Sequence, residues 1–122
     1  MKKLMGIVIS IVSFFMGDLD VMLKILICVM IVDYITGVLS AIYNKKLSSK
    51  TGFNGILKKL CILSVICLSN FAGQIVGIEE LRHIAISFYM ANEAISILEN
   101  ACEMGIVFPE KLKEVLKQLE KK

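Results

Sequence analysis

Four apolar runs follow one another along the first hundred residues, and short polar segments separate them. The runs cover residues 4–17, 21–43, 60–78 and 81–102. As helices, the uncharged third run extends about 28 Å and the first about 21 Å, against a bilayer hydrocarbon core about 30 Å thick. The pattern predicts a helical transmembrane domain over residues 1–107, with four transmembrane helices, the first of them short.

The two remaining segments are polar in different ways. Residues 44–59 combine Ser, Thr, Asn and Gly with lysines and no acid, which predicts a basic loop. Its lysines are Lys45, Lys46, Lys50, Lys58 and Lys59. In residues 108–122, Pro109 suits the first turn of a helix. Apolar residues recur there at helical spacing, opposite Lys and Glu, which predicts a C-terminal charged amphipathic helix. These apolar residues are Leu112, Val115, Leu116 and Leu119.

Composition supports a membrane environment. The chain has 122 residues, of which 57% are hydrophobic, and its mean hydropathy is +0.76. A soluble domain is nearer 45–50% apolar, and a chain this short has little interior in which to bury an excess. We therefore predict an all-α integral membrane protein.

The charges predict an orientation. Lysines concentrate on the cytoplasmic side of membrane proteins, whereas acids have little influence. Lys2 and Lys3, the basic loop and the lysine-rich tail would then be cytoplasmic, and the acidic turns at 17–20 and 77–80 would be outside. Four spans satisfy all these assignments and place both termini in the cytoplasm.

Three polar residues interrupt the apolar runs near the middle of the membrane. Counted along each predicted helix, Asp33, Asn70 and Glu93 lie at depths of about 18, 15 and 16 Å. An ionised carboxylate facing lipid costs about 2.5–3.5 kcal/mol, so these acids must face protein or water, or be protonated. We predict one polar layer, extended on the fourth helix by Ser96 and Asn100. It is either a structural network or a surface that becomes wet when subunits assemble.

Small residues recur at intervals that allow helices to approach closely. The predicted helix-packing positions are Gly6, Ser10, Gly37, Ser69, Gly73 and Gly77.

Nothing in the sequence supports enzymatic chemistry. The four cysteines have no paired short spacing and the single histidine, His83, is distant from them, so neither a metal site nor a cofactor is expected. There is no Gly-rich phosphate loop and no nucleophile motif. Because the basic loop lies between predicted spans, anionic lipid is a better partner for it than nucleic acid.

Two stretches carry a family resemblance. They are "DYITGVLSAIYNKKLSSKTGFNGILKK" and "YMANEAISILENACEMGIVFPEKLKEVL". They resemble the phage-lysis and toxin-secretion holins of Gram-positive bacteria and their phages, over most of the chain, from Asp33 to Leu119. The shared features include the Asp before an aromatic residue, the glycine at 37, the basic loop with its lysine pair, Glu93 and Pro109.

The resemblance implies a function that hydropathy does not. Such proteins assemble with copies of themselves in the bacterial cytoplasmic membrane and permeabilise it at a set time. A cell-wall hydrolase or a toxin then leaves the cell, without necessarily binding them. Two alternatives stay open: a small four-span proton-coupled transporter, whose key Glu would lie in the first span, where residues 4–17 have none, and a non-lethal membrane assembly subunit.

Overall fold

The computed structural model describes the backbone of residues 1–120 and the side chains of residues 1–118. Within that range it contains five α-helices and no strand, which confirms the all-α prediction. The helices are α1 (Lys2–Met16), α2 (Val21–Tyr43), α3 (Ser49–Val76), α4 (Glu80–Glu103) and α5 (Glu110–Glu120).

Two helices, α2 and α3, are long and apolar enough to cross a membrane. The other two predicted spans differ: α1 has only 15 residues, and α4, with 24, carries several charged side chains. These charged residues are Glu80, Arg82, Glu93, Glu99 and Glu103. The four-span arrangement therefore stays a prediction.

The C-terminal segment forms α5, which packs against α4. Two residues of the predicted apolar face are largely exposed: Leu112 at 43% and Val115 at 47%. The predicted helix extended to 122, and residues 121 and 122 lie outside the described range. The amphipathic and cytoplasmic character of α5 remains a prediction.

The helix α3 begins eleven residues earlier than predicted, at Ser49 and not at Leu60. The Ser48 hydroxyl caps it by accepting a hydrogen bond from the Thr51 backbone N–H at 3.1 Å. Glycine at 52 fits beneath Tyr34, where an added Cβ would lie 3.3 Å from the phenolic oxygen. The predicted loop is thus confined to residues 44–48, because Ser and Gly here serve as a cap and a close contact.

Contacts between the helix ends show the relative directions of the three central helices. Arg82 near the start of α4 bonds to Asp20 just before α2, and Glu103 at the end of α4 bonds to Ser40 near the end of α2. Helices α2 and α4 therefore run parallel, and the intervening α3 runs antiparallel to both. The helix α1 lies against the second half of α3, where Phe14 and Phe15 contact Phe71.

The apolar core is small and the exterior is apolar. Among described side chains the core cluster consists of Leu23, Leu26, Met30, Ile66 and Ile86. Many other large apolar side chains face outward, including Ile75 at 86% and Leu68 at 67% exposed. Such an exterior is unfavourable in water and suits lipid, as expected of a membrane protein.

Candidate functional site

A buried charged triad joins the three central helices. The Lys59 ammonium of α3 contacts Asp33 Oδ2 of α2 and Glu93 Oε1 of α4, each at 2.7 Å. Asp33 is 8% and Glu93 6% exposed. The structure thus brings together the two carboxylates singled out in the sequence, through a lysine that the sequence had assigned to the basic loop.

The three charged residues lie at one level of the bundle. Asp33 is ten residues before the end of α2 at Tyr43, and Glu93 is ten before the end of α4 at Glu103. Lys59 is ten residues after the start of the antiparallel α3 at Ser49. Ten residues of helix correspond to about 15 Å. The triad therefore lies at a common depth from one end of the bundle.

Polar side chains continue the α2–α4 contact beyond the triad. Asn100 Nδ2 donates to Asp33 Oδ1 at 3.1 Å and to Thr36 Oγ1 at 2.9 Å. Both carboxylate oxygens of Asp33 are therefore bonded, one to Asn100 and one to Lys59. Closer to the helix ends, the Ser40 hydroxyl donates to Glu103 Oε2 at 2.7 Å.

The triad has one carboxylate more than its single ammonium group can neutralise. When all three groups are ionised, a net negative charge stays between the helices. A buried ion pair is costly to desolvate, and removing one partner leaves an uncompensated charge. The triad can therefore hold the helices together, attract a proton or a small cation, and come apart when water reaches it.

A cavity of about 750 Å³ leads from the triad toward the end of the bundle formed by Tyr43, Ser49 and Glu103. Ser96 lines it beside Asp33, Lys59 and Asn100. Lys46, in the turn between α2 and α3, lines it too, and so does Lys58, which lies at the level of the triad. Predicted basic-loop residues thus contribute to the same polar space as the predicted intramembrane residues.

A second polar group lies at the opposite end of the bundle. Arg82, only 8% exposed, donates to the backbone oxygens of Met16 at 2.6 Å and Asp18 at 2.7 Å. It also forms an ion pair with Asp20 at 3.0 Å. The hydrogen bond from Arg82 holds the pKa of the Asp20 carboxyl below its ordinary value of 3.8. One side chain thus connects the end of α1, the α1–α2 turn and α4.

The predicted polar layer is corrected in its third member. Asn70 belongs to the Arg82 end: its amide donates to the Phe15 backbone oxygen at 3.1 Å and accepts a hydrogen bond from Gln74 at 3.1 Å. The predicted depth was counted from Leu60. Because α3 begins at Ser49, Lys59 takes the level assigned to Asn70, and Asn70 lies about three turns further along.

The predicted helix-packing residues fall into three groups. Gly37 faces Asn100, and Gly73 lies so close to the Ile78 backbone oxygen that an added Cβ would be 2.6 Å from it. Gly77 instead ends α3 in a left-handed conformation with a φ of 78°. The others lie on the exposed surface, where the two serine hydroxyls bond to their own helix: Gly6, Ser10 and Ser69.

Two residues of the buried polar groups were not assigned there from the sequence: Lys59, which was predicted in the basic loop, and Arg82. Lys59 is ten residues past the start of α3, and Ser48, a residue type that favours the helix N-cap, marks that start in the sequence. Arg82 is the only arginine in the chain and follows an acidic turn directly. Charged residues near predicted membrane boundaries were interpreted as interfacial, and both in fact point into the bundle.

No group of three or more metal-binding side chains occurs among the described residues. The cysteines at 28, 61, 67 and 102 are free thiols. The polar sites are thus built from ion pairs and amide or hydroxyl hydrogen bonds.

Comparison with known proteins gives a family. A family model described as the bacteriophage holin family matches residues 10–121. The chain is 42% identical to an uncharacterized protein of Listeria monocytogenes, Lmo0128, over 88% of this chain and 77% of that protein. It is 40% identical to an uncharacterized 14.9 kDa protein of Clostridium perfringens over 87% and 82%, and 30% identical to the uncharacterized YtkC of Bacillus subtilis over 97% and 89%.

No solved structure matches the chain. The family model covers nearly the whole bundle, including the triad on α2, α3 and α4. The extent of this match and the similarity of the relatives lead to one conclusion: the chain belongs to the bacteriophage holin family, a family of membrane-permeabilising proteins.

Proposed function

We propose that this protein is a holin that assembles with copies of itself in the bacterial cytoplasmic membrane and permeabilises it. A cell-wall hydrolase or a toxin then crosses the membrane without needing to bind the holin. The observation that carries the proposal is the buried Asp33–Lys59–Glu93 triad inside a bundle whose outer surface is apolar. The apolar outer surface of a single bundle suits lipid, and the polar side chains of the triad are buried inside it.

Assembly of several chains would expose these buried polar side chains. In one chain the polar sides of α2 and α4 face each other and Lys59. When chains associate, these groups exchange contacts within the chain for contacts with neighbouring chains or water. The exchange is energetically feasible because hydration replaces much of what a buried ion pair loses on separation. Polar helix faces would then line the hole, and apolar faces would contact lipid.

The arrangement of the helices supports four spans. Contacts at both ends align α4 with α2, which is apolar and long enough to cross the membrane. If α2 crosses the membrane, α4 therefore lies at the same depth. The short α1 lies beside the second half of α3. By the distribution of lysines, the turn at 44–48 and α5 would be cytoplasmic and would touch anionic lipid.

The test is induced expression in a bacterial host, with membrane potential and growth followed, with and without a co-expressed cytoplasmic cell-wall hydrolase. A holin predicts depolarisation after a delay, and lysis only when the hydrolase is present. Depolarisation without lysis in the presence of hydrolase would indicate an ion channel. Continued growth at full potential, with the protein present in the membrane, would contradict the proposal.

A matched pair of variants connects this test to the triad. Glu93→Leu removes a triad carboxylate, and we expect it to change assembly or the time of depolarisation while membrane insertion is retained. Glu99→Leu makes the same substitution on α4 at an exposed position, and we expect the parental timing. If Glu93→Leu also kept the parental timing, the triad would have no role in assembly.

The excess carboxylate of the triad favours one other function, a small proton-coupled transporter. Expression would then leave growth intact and would change resistance to toxic compounds or the pH dependence of their uptake. A non-lethal assembly subunit would change neither growth nor resistance. The expression experiment separates the holin from both alternatives, and a resistance assay on the same strains separates the transporter from the assembly subunit.

A further inference from the structure

The geometry points to a water-filled vestibule inside each subunit, open to the cytoplasm and closed at mid-depth by the Asp33–Lys59–Glu93 triad. Its orientation rests on the membrane topology proposed above, but its existence does not depend on hole formation. The vestibule is the cavity of about 750 Å³ between α2, the first turns of α3 and the end of α4. Its occupants would be water and small hydrated ions.

The lining of this cavity mixes apolar with polar and charged groups, whereas the outer surface of the bundle is mostly apolar. Hydroxyl, amide and charged groups line it, among them Ser40, Asn44, Thr51, Asn54, Ser96 and Asn100. At about 30 Å³ per molecule, its volume has room for about 25 waters. Cavities stay dry when their walls are apolar and hold water when several polar partners are available.

The vestibule has a closed deep end. The triad lies there, and the buried side chains of Leu26, Met30 and Ile66 belong to the apolar core beyond it. On the other side of that core lies the separate Arg82 cavity, of about 340 Å³. Water entering from the Tyr43 end would thus reach Asp33 and Lys59 but would not cross the single subunit.

Lipid chains are poor alternative occupants. Hydrocarbon in this space would lie against the charged Asp33, Lys59 and Glu103 side chains, which lipid cannot solvate. The mouth also carries Lys46, in the turn between α2 and α3, and the proposed topology places its charge at the aqueous boundary.

A vestibule of this kind gives the triad a solvent connection before any assembly. Cytoplasmic ions and protons would then reach the triad in the separate subunit. The charge state of the triad would follow the cytoplasm more closely than the outside medium.

The inference is tested by the accessibility of single cysteines. The background chain has all four native cysteines replaced by Ala, and its effect on host growth is compared with that of the parental protein. In this background, Ser96→Cys and Ala41→Cys each place a thiol on the vestibule wall. Ile35→Cys is the control matched in depth to Ser96→Cys, because Ile35 is eight residues and Ser96 seven residues from the end of its helix, but Ile35 is 51% exposed on the outer surface of the bundle. The probe is a charged, membrane-impermeant methanethiosulfonate, applied to inside-out and to right-side-out vesicles.

We expect both vestibule cysteines to react at least tenfold faster than the control in inside-out vesicles, and slowly in right-side-out vesicles. Equal, slow reaction at all three positions would overturn the vestibule, and faster reaction from the outside would overturn its orientation. Because labelling is measured in vesicles without hydrolase, a chain that failed to lyse cells would still give a clear result.

Discussion

At the residue scale, Lys59 and its neighbour Lys58 have the same charge and opposite surroundings. Lys59 contacts two carboxylates, whereas Lys58 is exposed. We expect Lys59→Met to lower the free energy of unfolding by about 3–5 kcal/mol, because two buried carboxylates lose their shared cation. Lys58→Met should change it by less than about 0.5 kcal/mol. Unfolding in detergent micelles titrated with SDS, followed by circular dichroism, measures both.

A combined variant separates loss of charge balance from loss of packing. Adding Asp33→Asn and Glu93→Gln to Lys59→Met removes every charge of the triad. If the Lys59 effect is electrostatic, the triple variant should regain most of the lost stability, since neutral groups of similar shape often replace buried ions at little cost. A triple variant as unstable as Lys59→Met alone would show that packing of the lysine chain dominates.

The Asp20–Arg82 pair predicts a pH dependence. Because Arg82 holds the pKa of Asp20 below its ordinary value of 3.8, the pair contributes stability that is complete above about pH 4 and is lost as pH falls through the folded-state pKa. Asp20→Asn keeps a good helix N-cap but should reduce this loss of stability on acidification. Asp18→Asn is the control, because Arg82 bonds there only to the backbone oxygen. Thermal unfolding between pH 6 and pH 2 measures the difference, and identical profiles for the two variants would contradict the prediction.

Sequence reasoning found the residues that are anomalous for their position and missed those that are ordinary there. Asp33 and Glu93 stand out because an acid within an apolar run is costly. Lys59 does not stand out, because a lysine that lies beside other lysines before an apolar run indicates a membrane boundary. Only the packing of α3 against α2 and α4 shows that this side chain turns inward.

At the element scale, the turn between α3 and α4 depends on a close backbone approach at Gly73. An alanine Cβ there would lie 2.6 Å from the Ile78 backbone oxygen, whereas nothing lies within 4 Å of the corresponding position at Gly6. We expect Gly73→Ala to lower the unfolding free energy by about 1–3 kcal/mol, because the turn must move. Gly6→Ala should be neutral or raise it by up to about 1 kcal/mol through helix propensity. The SDS titration compares them, and equal effects would mean that the turn moves without cost.

Helix boundaries were predictable where charge and apolarity change together. The range predicted for α2 matches the structure, residues 21–43, because an acidic turn and the basic turn flank it. The start of α3 was missed because its first turns are polar and contain lysines and glycines. A hydropathy pattern identifies only the apolar part of such a helix. A cap such as Ser48 with Thr51 is a weak sequence signal that becomes decisive once the hydrogen bond is seen.

At the scale of the whole molecule, the Arg82 group lies at one end of an apolar bundle and the triad lies near its middle. The Arg82 group ties α1 and the α1–α2 turn to α4, and the triad ties α3 between α2 and α4. Together they fix α2 and α4 side by side along their length, so that these two helices share a depth in the membrane. The number of spans then depends on whether α1 and α4 also cross the membrane.

A topology experiment decides between four spans and two. Alkaline phosphatase, which is active only outside the cytoplasm, can be fused after Leu19, Leu47, Ile78 and the last residue. Four spans predict activity after Leu19 and Ile78 and none after Leu47 or at the C-terminus, because lysine-rich segments stay inside. If only α2 and α3 crossed, with the basic turn still inside, the C-terminal fusion would be active too. That fusion is therefore the informative one: its activity would place α4 outside the membrane and overturn the depth shared by α2 and α4, and its inactivity would leave α4 as a true span with Glu93 inside the bilayer.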